Sequence, residues 1–271
     1  MSTEQNTSGG SAAQDIATQF TGARAAGRSL PGYPGTPPAT LAEAYAIQAS
    51  AIARWPDAVA GWKVARVNPA FAAQFPEERL IGPAFAANIH RPAAGEAASC
   101  PVFDGGFAAV EAEVVIVVAE DAPAGKADWT ADTVLPFVKS MHIGVEVASS
   151  PLATLNDIGP GAVISDFGNN WGVVVGAEIA NWRELETIDV ETFIDGQSVG
   201  TGKVAIKPGP LGALAFTLNK RAQQGTVLRA GDVISTGMIT GVHDIRIGQQ
   251  SRHVFAGVGE VAVQITKAIG Q

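Results

Sequence analysis

An α+β fold, with a small helical N-terminal part and a larger strand-rich part, is what this 271-residue sequence predicts. Leu41, Tyr45, Ile52 and Trp55 fall on one helical stripe, interrupted only by the polar Gln48. From Gly61 onward the apolar residues gather instead into short β-type runs punctuated by Gly and Pro. One clear helical pattern returns late, over 210–225, where Leu211, Leu214, Ala215 and Leu218 share a face. The expected boundaries are a loose polar tail over 1–10, a helical part over 11–60 and a mixed-β domain over 61–271.

Along the chain, Ile16 and Phe20 mark a short amphipathic helix ending near Gly27, and the prolines and glycines of 31–38 make a loop. Thr40 followed by Glu43 is a capping-box pattern that starts the second helix. Strands are expected over 62–67, 108–119, 141–147, 172–179, 188–194, 233–236 and 258–265. The segment 119–130 reads as a solvated loop, and no repeat of fixed period is present.

Composition narrows the function. With 46% hydrophobic and 16% charged residues the chain is not generally disordered, and 18 basic against 26 acidic residues, net −8, argue against a nucleic-acid partner. A small anionic substrate would then need a local cation. The single cysteine, Cys100, excludes an internal disulfide framework or a cysteine metal cluster and suits a reducing cytoplasm. No membrane association is expected, because no apolar run approaches the ~20 residues needed to span a bilayer. Residues 1–11 lack the basic and apolar blocks of a signal peptide, so the expected location is cytoplasmic.

The chemistry concentrates in acidic residues on strands. Glu111 and Glu113 lie at the start of the apolar run 111–119 and point to one strand face, about 7 Å apart at Cα. Val115 and Val117 share that face while Ala112, Val114, Ile116 and Val118 fill the other, so the strand looks buried on both sides. Carboxylates in such a place need a counter-charge, and a divalent cation would offset both repulsion and desolvation. Glu146, alternating with Met141, Ile143, Val145 and Val147, adds a third carboxylate. Oxygen ligands without cysteine favour Mg²⁺ or Mn²⁺ over Zn²⁺. The plainer alternative is a pair of acids on the solvent face of a half-buried strand.

Lys63, between Trp62 and Val64, is a candidate for binding a carboxylate or exchanging a proton, or else a surface lysine that snorkels. Asp166 precedes a strand in a turn, where it either shapes the turn or supports the site and contacts substrate. His90, His142, His243 and His253 are widely spaced and form no zinc-hydrolase pattern.

In order, the segments Glu43-Ala-Tyr-Ala-Ile-Gln-Ala49, Gly61-Trp-Lys-Val64, Ile81-Gly-Pro-Ala-Phe85, Glu111-Ala-Glu113, Glu146 and Leu228-Arg-Ala-Gly-Asp-Val-Ile-Ser-Thr-Gly237 form a recognisable set. The chain resembles the 2-keto-4-pentenoate hydratase branch of the fumarylacetoacetate hydrolase superfamily, over roughly residues 41–265. The resemblance implies a mixed β-roll with the active site at one end, a homo-oligomer, and Mg²⁺ or Mn²⁺ held by Glu111, Glu113 and Glu146. It further implies Lys63 and Asp166 as catalytic-site residues and a small 2-keto acid as substrate. The implied reaction is hydration of a 2-hydroxy-dienoate or 2-keto-4-enoate to a 4-hydroxy-2-keto acid, with decarboxylation or dehydration as the alternative. A non-catalytic binding protein that kept the fold is the reading from another class. Where hydratases carry Asp before Gly-x-x-Phe, this chain has Leu80-Ile81. The hydrolase branch matches less well, since His90 has no glutamate one helical turn away.

Overall fold

The computed structural model describes residues 5–270. Helix α1 (Gln5–Ala25) begins inside the stretch expected as a loose tail, whose residues 1–4 lie outside the described residues. It stops at Gly27, which takes the left-handed φ of +60° and sends its amide back to Arg24 O at 3.1 Å. A Cβ at Gly27 would meet the Ile269 carbonyl carbon at 2.7 Å, so the cap also fits against the chain's last segment.

Helix α2 (Leu41–Arg54) starts at the capping box read from the sequence: Glu43 N donates to Thr40 Oγ1 at 3.2 Å and Thr40 N to Glu43 Oε2 at 3.1 Å. Thr40→Ala is expected to cost about 1 kcal/mol, seen as a lower urea midpoint at unchanged slope; an unmoved midpoint would mean the box adds nothing. Gln48 proves central to the buried face, with Ala44, Ile47 and Ala51. Its amide donates to Ile81 O at 3.1 Å and Ile164 O at 3.0 Å, satisfying two buried carbonyls that an apolar side chain would leave bare.

The strands are β1 (Val59–Arg66), β2 (Arg79–Phe85), β3 (Ile89–His90), β4 (Ala97–Val102), β5 (Phe107–Val118), β6 (Val138–Ser150), β7 (Asn170–Glu178), β8 (Thr187–Ile194), β9 (Gln197–Ala205), β10 (Val233–Ser235), β11 (His243–Asp244), β12 (Gln250–Phe255) and β13 (Gly259–Lys267). Short helices α3 (Leu155–Ile158) and α4 (Pro160–Ser165) follow β6, and α5 (Gly209–Gln223) follows β9. One sheet runs β2-β1-β10-β5-β6-β7-β3, with β11 also on β5, and the other runs β4-β13-β12-β8-β9. Pairs β1–β10, β3–β7 and β4–β13 are parallel and the rest antiparallel.

This is the α+β architecture expected, a mixed β-roll preceded by helices. Val110, Ala112, Val114 and Ile116 of β5 join Val145 of β6 and Val263 and Ile265 of β13 in one core cluster spanning both sheets. The other face of β5, with Glu111, Glu113 and Val115, is equally buried. Strands β2 and β4 escaped the sequence pattern because Pro83 and Pro101 read as breakers. Both strands lie at sheet edges, where a missing N–H is tolerated.

Candidate metal centre

The β5–β6 register sets Glu111 directly opposite Glu146 and leaves Glu113 opposite Gly144. One carboxylate oxygen from each of Glu111, Glu113 and Glu146 falls within 4.8 Å of the others. All three side chains are buried. Ser235, reached through the pairing of β10 with β5, donates its hydroxyl to Glu113 Oε2, and the Gly237 amide donates to the same oxygen at 2.9 Å. Glu113 Oε1 and both Glu146 oxygens accept no hydrogen bond among the described residues.

Lys63 enters from β1, its side chain turned away from the core that takes Trp62 and Val64. It is only 1% exposed. Its Nζ lies 3.0 Å from Glu146 Oε1. Beside this ion pair, Nζ also donates to Asn169 Oδ1 at 3.0 Å. Burial pulls the Lys63 ammonium down, but the charges of Glu146, Glu111 and Glu113 outweigh it and hold its pKa above the ordinary lysine value. Burial, followed by the Glu146 charge, pushes the Glu111 carboxyl up to about 8 against the pull of Lys63. Glu113 rises well above the usual carboxylate range, from burial first and then the charges of Glu146 and Glu111. One lysine does not balance three buried carboxylates. Oxygen donors with unpartnered lone pairs and uncompensated negative charge fit a hard divalent cation such as Mg²⁺ or Mn²⁺.

Asn169 is delivered by a turn in which Phe167, Gly168 and Asn169 take φ of 56°, 68° and 56°. Left-handed backbone at the two non-glycine positions costs about 1–2 kcal/mol each. Close packing holds the turn in place: a Cβ on Gly82 would meet Phe167 O at 2.2 Å, and one on Gly168 would meet Gly82 Cα at 2.9 Å. Asp166 anchors the turn from behind. It receives Arg24 Nε on Oδ1 at 2.5 Å and Nη2 on Oδ2 at 2.9 Å, so helix α1 reaches the site through a buried bidentate ion pair. Asp166 therefore sits against Arg24 and not along the cleft.

The cleft above the lysine and the carboxylates has a volume of about 1030 Å³ and is lined by Lys63, Glu111 and Asn169 together with Arg66, Arg79 and Leu80. Leu80 packs into the helical cluster with Ile47 and Phe85. The nearby Glu77 is held by Lys220, whose Nζ reaches both its oxygens at 2.7 Å. His142 points to Ser140 Oγ and Gly176 O, and His90 stacks on Trp171 with ring centroids 5.6 Å apart. Neither lines the cleft. Cys100 is buried in the core, its thiol pushed up to about 12 by burial, and so is inert.

Sequence reasoning singled out Lys63, Glu111, Glu113 and Glu146, and the fold brings these together. It missed Asn169, Ser235 and Arg24, each of which meets the site across a large separation in the chain. Ser235 gave no sign beyond its place in a short strand, and Asn169 only that of a turn.

No family model matches this sequence. Among solved structures, the 4-oxalocrotonate decarboxylase from Pseudomonas putida G7, complexed with magnesium and adipate, superposes with a TM-score of 0.77 at 21% identity, covering 93% of this chain and 97% of that one. The fold is that of the fumarylacetoacetate hydrolase superfamily. The fumarylpyruvate hydrolase from Pseudomonas aeruginosa, in complex with Mn²⁺ and pyruvate, matches with a TM-score of 0.57 at 16% identity over 76% of this chain and 89% of that one. The 2-hydroxyhepta-2,4-diene-1,7-dioate isomerase from Mycobacterium marinum matches with a TM-score of 0.53 at 17% identity, over 78% and 76%.

Proposed function

We propose that this protein is a divalent-metal-dependent lyase acting on a small 2-keto acid. Its reaction on this reading is hydration of a 2-hydroxy-dienoate or 2-keto-4-enoate to a 4-hydroxy-2-keto acid. The observation that carries the reading is the cluster of three buried carboxylates, Glu113 and Glu146 with unpartnered oxygens and Glu111 lining the cleft beside the buried Lys63. Mg²⁺ or Mn²⁺ held by Glu111, Glu113 and Glu146 would supply Lewis-acid stabilisation of the negative charge that a 2-keto acid develops as its enolate.

The chain's own part falls to Lys63. An ammonium has three N–H donors. Asn169 fixes one direction and Glu146 a second, which leaves a third for the substrate. Lys63 Nζ can then hold and return the proton that moves between the 2-hydroxyl and the carbon chain as dienol and keto forms interchange. The turn at 167–169 fixes Asn169 so that the ammonium keeps one orientation through the cycle. Burial of Glu113 and Glu146 keeps water from screening these charges.

Decarboxylation is the second reading, favoured by the similarity to a decarboxylase that binds magnesium and adipate. The same enolate serves it. With Mg²⁺ and a panel of 2-hydroxypenta-2,4-dienoate, a 2-oxo-3-enedioate and an acylpyruvate, the expected product is the water adduct of the dienoate. Carbon dioxide from the enedioate would select the second reading. Cleavage of the acylpyruvate alone, or turnover of none, would overturn the lyase assignment.

A further inference from the structure

Three consecutive residues, Ile164, Ser165 and Asp166, end α4 and lead into the left-handed turn that presents Asn169 to Lys63. Each is held by a different segment of the N-terminal helical part. Gln48 of α2 donates to Ile164 O at 3.0 Å, Tyr33 of the loop between the two helices donates its hydroxyl to Ser165 Oγ at 3.0 Å, and Arg24 of α1 makes the bidentate pair with Asp166. The grip continues past Asp166. Arg24 Nη1 donates to Asn170 O at 3.2 Å, so one guanidinium closes the turn from both ends, and it lies 5.2 Å from the centroid of the Phe167 ring. Trp55, just after α2, meets the same ring edge-on at 5.8 Å. Gly161 lets the loop before α2 close onto α4: a Cβ there would meet Pro38 O at 2.9 Å.

Arg24, Tyr33 and Gln48 do not themselves line the cleft. Their contacts converge on a backbone segment held in an uncommon conformation, which persists only where its surroundings enforce it. Glu111, Glu113 and Glu146 are set instead by the β5–β6 register, which Arg24 touches only near the end of β6, through Ser149 O at 3.0 Å. We propose that the N-terminal helical part is a clamp on residues 164–170, and that Arg24 is a positioning residue for the reaction, acting through Asn169 on the Lys63 ammonium. This rests on the reading of Lys63 as the proton-moving group. The strands then hold the metal, whereas the helices fix the direction in which the ammonium donates.

The test uses the whole chain with Mg²⁺ and whichever of 2-hydroxypenta-2,4-dienoate and the 2-oxo-3-enedioate wild type turns over. Removing Arg24 alone would strand the buried Asp166 charge, so the variant is Arg24→Met together with Asp166→Asn, which takes away both charges. Its kcat should fall about 10-fold, with KM and Mg²⁺ affinity by calorimetry within about 2-fold of wild type. Tyr33→Phe, which loses one hydroxyl and leaves Ser165 its bond to Gly161 O, should lower kcat less. Amide exchange over 164–170 should quicken in the metal-loaded variants while β5 and β6 stay protected. The deciding readout is a cycle with Asn169→Ala. A residue that acts through Asn169 loses its effect on kcat once that side chain is gone, whereas a general loss of structure still adds to it. A fall in kcat as large in the Asn169→Ala background as in wild type would overturn the clamp, as would an unchanged kcat or unchanged exchange over 164–170. If the Arg24 variant does not fold, Tyr33→Phe carries the same cycle. Wild type that turns over neither substrate overturns the lyase reading and this inference with it; an active wild type with unaffected variants overturns this inference alone.

Discussion

Glu113→Gln is expected to weaken Mg²⁺ binding by about 100-fold or more while the fold survives. Loss of an outer partner of a metal ligand already costs 10–100-fold, and this change removes a ligand's charge itself. The substitution is close to isosteric, and the glutamine carbonyl can still accept from Ser235 and Gly237. It also takes one negative charge out of a buried cluster whose members push each other's pKa upward, so the metal-free variant should melt no lower than wild type. Thermal melts with added Mg²⁺ make the difference visible. At a concentration 100 times the wild-type Kd, wild type gains about 2.7 kcal/mol, whereas a variant bound 100-fold more weakly gains only about 0.4 kcal/mol. Equal Mg²⁺ stabilisation in the two proteins would remove Glu113 from the ligand set.

The three carboxylates were legible because a strand's period is local. Glu111 and Glu113 share a face by alternation, and Glu146 alternates with apolar residues on its own strand. That Glu111 faces Glu146 is a register fact, set by twelve residues of β5 running against β6, and no single segment encodes it. Lys63 was legible as a lysine flanked by Trp62 and Val64. What held it there was not, because Asn169 is 106 residues away and arrives through a left-handed turn whose sequence, Phe-Gly-Asn, announces only a turn.

The fold shows the same division. Strands with alternating or continuous apolar character were readable, but β9 is largely exposed along its length and so lacks the apolar signal that marks a strand. Gln48 looked like a flaw in a helical stripe. Its burial follows from two carbonyls, of Ile81 and Ile164, that belong to other elements and need donors. Arg24 is the strongest instance: an arginine at the end of a helix is commonplace, and its value depends on Asp166, Ser149 O and Asn170 O converging on it from 125 to 146 residues away.

Lys63→Met should leave the metal in place and remove the turnover. Methionine keeps much of the aliphatic volume among the buried neighbours but supplies neither charge nor proton. If Lys63 Nζ moves a proton in the reaction, kcat should fall by about 100-fold, equivalent to about 2.7 kcal/mol of transition-state stabilisation. Mg²⁺ affinity should hold or rise, since the change removes a cation lying 3.0 Å from a carboxylate that would also bind the metal. This pattern is the opposite of that for Glu113→Gln, in which the metal is lost first. The pair of variants therefore separates a metal-holding residue from a proton-moving one on the same floor of the cleft. A Lys63→Met protein with a raised KM and an unchanged kcat would make Lys63 a binding group alone, and the proton route would have to run through another group lining the cleft.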